Sequence, residues 1–155
     1  MNNGGRHIGF SGTRENMTVA QVTTLTRMLS EAPAAVFHHG DCQGSDATGH
    51  FIAHSLGFKI VSHPPTNDKL RAFCERGPYW KPEYELREPE VYMSRNYTIV
   101  AECDWLIATP STLDERTRSG TWTTIRKAQN EGKPVWLIGP DGVAITEPLP
   151  WLAAA

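Results

Sequence analysis

Gly9-Phe10-Ser11-Gly12-Thr13-Arg14 closes the short apolar run at residues 7–10 and has the composition of a turn from a strand into a helix. Two later stretches repeat that composition: His39-Gly40-Asp41-Cys42-Gln43-Gly44-Ser45-Asp46, and Arg118-Ser119-Gly120-Thr121-Trp122. Glycine lets the backbone approach a ligand closely, Ser and Thr cap the following helix, and the free N–H groups of its first turn favour an anion. Three such turns point to one phosphate-lined crevice.

Outward from these turns, short apolar runs alternate with helix-like segments, the pattern of parallel strands joined by right-handed crossovers. The fold class predicted is α/β: a Rossmann-like parallel sheet flanked by helices, in a single domain over residues 1–155. After the first strand, Thr18-Val19-Ala20-Gln21 has the form of a capping box, and the helix it opens places Val19, Val22, Leu25 and Leu29 near one face. Residues 35–38 form a second strand. Ser45 or Asp46 then caps a helix carrying Phe51, Ile52 and Leu56, which Gly57 ends before a strand at 58–62. Residues 66–89 break the pattern with Pro78, Pro82 and Pro89, and read as an ordered excursion or lid. A helix near 90–102, a strand at 105–108, a helix at 119–130 stopped by Gly132 and a strand at 134–138 complete the series. Pro140-Asp141-Gly142 is a turn, and residues 153–155 read as a frayed end.

With 155 residues, 39% hydrophobic and 21% charged, the chain can bury a core of its own. A net charge of −2 gives no general attraction to nucleic acid, so polyanion binding would need a local basic patch, while small anionic ligands remain easy to accommodate. Cys42, Cys74 and Cys103 are odd in number and widely spaced, with no secretory h-region at the start, which suggests a reducing cytoplasm. No apolar stretch approaches the roughly 20 residues that span a bilayer.

Gly44-Ser45-Asp46-Ala47-Thr48-Gly49-His50, followed by Ala53 and Leu56, resembles the Gly-x-Asp-x-x-Ala-His segment of DNA-processing protein A, with Gly49 in place of alanine. Later segments match in order: Arg95-Asn96 with Ile99-Val100-Ala101, Asp104-Trp105-Leu106-Ile107, Arg118-Ser119-Gly120-Thr121, and Ala128 before Gly132-Lys133-Pro134-Val135. Across residues 9–138 the chain resembles the SLOG superfamily, which groups DNA-processing protein A, the Lonely Guy phosphoribohydrolases and sensor domains for nucleotide-derived ligands. It looks like a small stand-alone bacterial or phage member. The resemblance implies a ligand crevice at the carboxyl ends of the strands, where the three turns independently fall. It also implies a homo-oligomer.

Gly12, Thr13 and Arg14 are expected to line one wall, with Arg14 able to meet a phosphate bidentately. Gly40, Asp41, Gly44 and Ser45 are expected on another. Ser119, Gly120 and Thr121 form the best phosphate cradle, with Arg118 just outside it. Arg95 and Asn96 match paired polar positions of the superfamily. Asp46 either bonds a ribose or partners a helix dipole, and Asp104 is similarly open. Tyr79, Trp80, Tyr84 and Tyr92 either stack a base or form a satellite core or subunit contact.

Phosphoribohydrolases of the Lonely Guy type carry a catalytic glutamate three residues after the threonine of the phosphate turn, where this chain has Thr124. A hydroxyl cannot stabilise an oxocarbenium-like transition state as a carboxylate can. Glu115 could replace it, working with Arg95, if the protein cleaves an N-glycosidic bond. His50 and His54 share the i,i+4 spacing of a zinc pair, but Phe51 stands where a zincin needs glutamate, and Cys42 near His38 and His39 is a weak hint. No metal and no cofactor are therefore expected. Three readings follow: a binder of a small nucleotide or nucleotide-ribose ligand acting as sensor, carrier or sponge; a nucleoside monophosphate N-glycosidase; and a single-stranded DNA binder.

Overall fold

A computed structural model describes residues 5–116 and 118–145. Among these residues one seven-stranded sheet runs in the order β4-β3-β2-β1-β5-β6-β7. Its strands are β1 (His7–Gly12), β2 (Val36–His39), β3 (Lys59–Ser62), β4 (Glu85–Leu86), β5 (Trp105–Thr109), β6 (Val135–Ile138) and β7 (Ala144–Ile145). All pairs are parallel except β6 with β7. The direction in which the chain extends the sheet reverses between β1 and β5, and at such a switch point the flanking loops part and leave a crevice.

Among the described residues, four α-helices cover the sheet: α1 (Val19–Glu31), α2 (Ser45–Ser55), α3 (Tyr92–Glu102) and α4 (Gly120–Asn130). Alternation along the strands divides the core between two faces. Ile8, Phe10, Phe37, Ile60 and Ile107 join Leu25 and Leu29 of α1 and Ile52 and Ala53 of α2. On the other face Leu106, Ala108, Val135 and Leu137 pack with Val100, Trp122 and Ile125. The near-continuous burial of β2 and β5 follows from cover on both faces.

The capping box at Thr18 forms: its hydroxyl accepts from the Gln21 amide while the Gln21 side chain accepts from the Thr18 amide. Val19 does not join the buried face as the apolar spacing predicts, and is 83% exposed. Gln21 is buried in the same turn, because its amide group donates to the carbonyls of Pro110 and Ile138 at 2.9 and 3.0 Å. Neither Ser45 nor Asp46 caps α2. Gly44 is the N-cap, at φ +88°, where a β-carbon would lie 2.0 Å from the Arg14 carbonyl oxygen. Phe51 of α2 and its C-cap Leu56 are exposed. Gly57 ends α2 in the left-handed conformation, as expected.

Residues 66–89 carry two short 3-10 turns, Asp68–Leu70 and Cys74–Arg76, and the edge strand β4. The segment is bolted to the β2–α2 loop. Asp41, wholly buried with φ +54°, accepts from Arg71 Nε at 2.7 Å and from the Cys74 amide at 3.0 Å. Its carbonyl takes the Ala72 amide, and the Gln43 amide reaches the Leu70 carbonyl. Residues 153–155 lie outside the described part.

Candidate functional site

The three glycine turns lie at the carboxyl ends of β1, β2 and β5, and two connected chambers open there. The outer chamber, about 420 Å³, is lined by Gly12, Thr13, Arg14 and Glu15 from the first turn, Ser111, Arg118, Ser119, Gly120 and Thr121 from the third, and Tyr92 from the start of α3. The inner chamber, about 20 Å³, has room for roughly one water. Gly40, Cys42, Asp46, Arg95 and Asn96 line it. Gly12, Arg14, Tyr92 and Thr121 are common to both. Neither lining draws on residues 66–89.

In the outer chamber the N-terminus of α4 is the organising feature. Ser119 caps it, its Oγ accepting from the Trp122 amide at 3.0 Å. The amides of Gly120 and Thr121 then have no partner among the described residues, as the first turn of a helix requires unless a ligand supplies one. Arg14 and Arg118 are exposed beside them. Tyr92 is half-buried, with the guanidinium carbons of Arg14 and Arg95 at 5.4 and 5.3 Å from its ring centre. Its hydroxyl takes the space over Gly120 where a side chain would go.

The inner chamber is built around Arg95, which is 2% exposed. Its Nε donates to Asn96 Oδ1 at 2.7 Å, and its Nη1 donates to the carbonyls of Gly40 and His63. Nη2 lies 3.6 Å from Cys42 Sγ. Asp46 accepts from the Cys42 amide at 3.1 Å. Burial pushes its carboxyl up to about 6, against the pull of Arg95. Burial likewise raises the Cys42 thiol.

The turn over residues 39–46 contributes less than its composition promises. Asp41 is turned away to anchor Arg71, and Ser45 Oγ donates to the Glu15 carbonyl. Gly44 packs against the backbone of Arg14. These three residues hold the crevice in shape without lining either chamber. Glu115 also lines neither; it is exposed, and its carbonyl accepts from Arg126. Thr124 is buried and spends its hydroxyl on the Gly120 carbonyl at 2.8 Å.

Sequence reasoning passed over Glu15 and Ser111. Glu15 is the carboxylate that lines the outer chamber, and its place directly after Thr13-Arg14 was the signal available. The aromatic group divides. Tyr92 belongs to the crevice, whereas Trp80 and Tyr84 pack around His50 and His54 and extend the main core on the α1–α2 face, not a separate satellite core.

All six histidines enter hydrogen-bonded networks, one on each face of the sheet. His39 Nε2 meets His50 Nδ1 at 2.9 Å, and His50 Nε2 reaches the Tyr79 carbonyl at 2.8 Å. His54 Nδ1 lies 2.8 Å from Tyr84 Oη. Opposite, His38 Nε2 meets His7 Nδ1 at 2.8 Å, and His38 Nδ1 meets His63 Nε2 at 2.9 Å. Burial lowers the pKa of His38, His39, His50 and His63. Of the cysteines, Cys42 and Cys103 are buried and all three are free. Among the described residues, no helix is long and apolar enough to cross a membrane.

No protein-family model matches the sequence, and no curated protein matches it. Solved structures do. That of TM1055, a structural-genomics target, superposes with a TM-score of 0.58 at 14% identity, covering 84% of this chain and 72% of that one. DNA processing protein A (DprA) from Streptococcus pneumoniae superposes with a TM-score of 0.62 at 18% identity, covering 85% of this chain and half of the longer protein. The likeness is one of fold: a Rossmann-like α/β sheet of the kind the resemblance to the SLOG superfamily implies.

Proposed function

We propose that this protein binds a small nucleotide or nucleotide-ribose ligand, as a sensor, carrier or sponge, with its phosphate on the N-terminus of α4 between Arg14 and Arg118. The observation that carries this reading is the outer chamber itself. It unites two uncommitted backbone amides, two exposed guanidiniums and one half-buried aromatic ring in a volume suited to a small ligand. An anion there gains hydrogen bonds from the amides and from the arginines without breaking an existing ion pair. Tyr92 offers an aromatic face for a base, and Asp46 can be reached from a ligand hydroxyl through the one water that the inner chamber has room for.

Hydrolysis through Glu115 gains no support, since that residue lines neither chamber. Tight binding of DNA would call for a broader basic surface than a chain of net charge −2 with two crevice arginines offers. The test is to purify the protein, denature it and identify released small molecules by mass spectrometry, then titrate ligand-free protein with a nucleotide panel while assaying free base. Retained or titratable nucleotide with no base released supports the reading, and Arg14→Ala with Arg118→Ala should weaken it at least tenfold. Release of base that Glu15→Gln abolishes would make the protein a hydrolase. Binding of single-stranded oligonucleotide alone, with steep loss in salt, would overturn the small-ligand reading.

A further inference from the structure

Among the described residues, two groups of side chains outside the crevice bring nitrogen, sulfur or carboxylate donors within 4.8 Å of one another: His39 with His50 and Cys74, and His38 with His63 and Glu102. Hydrogen bonding separates them. His39 Nδ1 accepts the Asp41 amide at 2.9 Å, so the proton of the neutral ring sits on Nε2, the nitrogen that faces His50. That hydrogen bond is complete, and His39 has no lone pair to offer a cation.

The opposite face differs. His38 Nε2 lies 2.8 Å from Nδ1 of the half-exposed His7, which can accept its proton and leave a lone pair on His38 Nδ1. His63 Nε2 faces that nitrogen at 2.9 Å, and Glu102 Oε1 lies 3.9 Å from it. His63 Nδ1 is buried without a partner whichever way the pair shares its hydrogen. Arg87 grips both carboxylate oxygens of Glu102 at 2.7 and 2.8 Å and fixes the group at the end of α3. His7 and Arg87 thus stand where outer partners hold the ligands of a metal, one behind an imidazole and one behind the carboxylate.

We propose that His38, His63 and Glu102 form a three-ligand site for a divalent first-row transition cation of borderline softness, Zn²⁺ being the type. Two imidazoles and one carboxylate suit such an ion better than Ca²⁺ or Mg²⁺, which prefer oxygen. The cation replaces the hydrogen shared by the two rings, and water completes the coordination on the side where Glu102 is half-exposed. It ties β2, the segment after β3 and the end of α3 together. Arg95, donating to the His63 carbonyl, links this site to the inner chamber.

The test uses the full chain, stripped with chelator and titrated with Co²⁺ and then Zn²⁺. One equivalent of Co²⁺ should give a visible d–d spectrum without a sulfur charge-transfer band, and Zn²⁺ should displace it. His63→Gln should abolish binding, Glu102→Gln should weaken it about tenfold or more, and His54→Ala should leave it unchanged. Should His63→Gln fail to fold, Glu102→Gln at the helix end and the spectrum of the native chain decide the matter. Absence of binding, a sulfur-to-cobalt band from Cys74, or Glu102→Gln binding as tightly as the native chain would each overturn the proposal.

Discussion

The hydroxyl oxygen of Tyr92 lies 1.3 Å from where a β-carbon on Gly120 would be, so the first residue of α4 is glycine because the first residue of α3 covers it. The obstructing atom is the far end of a rotatable side chain. Gly120→Ala should therefore fold, with Tyr92 displaced from the crevice and nucleotide affinity reduced about tenfold. Isothermal titration beside a thermal melt separates the two effects, and a fall in melting temperature without a change in affinity would count against the role given to Tyr92.

Gly44 is a stronger case, because its obstacle is backbone. At φ +88°, a β-carbon would sit 2.0 Å from the Arg14 carbonyl oxygen, and neither partner can rotate away. Gly44→Ala should cost about 3 kcal/mol or more in urea unfolding, well beyond the few tenths to 1 kcal/mol of an ordinary glycine substitution. A loss below 1 kcal/mol would show that the first two turns do not touch as described.

Asp41 and Arg71 form a buried ion pair that fastens the segment 66–89. Arg71 keeps a second partner, its Nη2 donating to both Glu75 oxygens at 2.9 Å, so Asp41→Ala leaves that charge paired but strands Arg71 Nε and the Cys74 amide, and should destabilise the protein by about 1–3 kcal/mol. Limited proteolysis should then cut first between residues 67 and 77, where the native chain resists. Cleavage elsewhere would argue that the segment is held by other contacts.

Asp46 predicts a pH dependence. A free aspartate titrates near 3.8, and burial pushes this one up to about 6. Between those values the folded chain keeps a proton that the unfolded chain has released, so this group makes stability fall as pH rises from about 4 to about 6. Asp46→Asn removes that contribution. Its stability relative to the native chain should rise across the same window and stay flat above it, as read by urea unfolding at a series of pH values. An unchanged difference would mean that Arg95 holds Asp46 ionised throughout.

Much of the fold was legible because strand, turn and helix signals coincided. Gly57 and the capping box at Thr18 work locally, and the structure forms both. Val19 and Gln21 show the limit: periodicity ranks residues by hydropathy, whereas Gln21 is buried by two carbonyls that only the folded sheet edge supplies. The strands β4 and β7 are two residues each, too short to carry a period. In the site, the first and third turns were legible because they use local groups. The middle turn was not, since Asp41 answers to Arg71, thirty positions away. Separation along the chain also hid the two histidine networks, whose paired rings stand 11 to 31 positions apart.

His38 and His39 are neighbours in β2, yet each serves a different face of the sheet, one meeting His7 and His63 and the other His50. A slip of β2 by a single residue against β1 or β3 would exchange them, sending His38 among Phe10 and Phe37's partners and His39 toward Glu102. Pairing register, which in most parallel sheets guards only the packing of apolar side chains, here also guards the wiring of imidazoles, so a misaligned strand would be penalised twice: for buried hydrocarbon out of place and for ring nitrogens left unmatched.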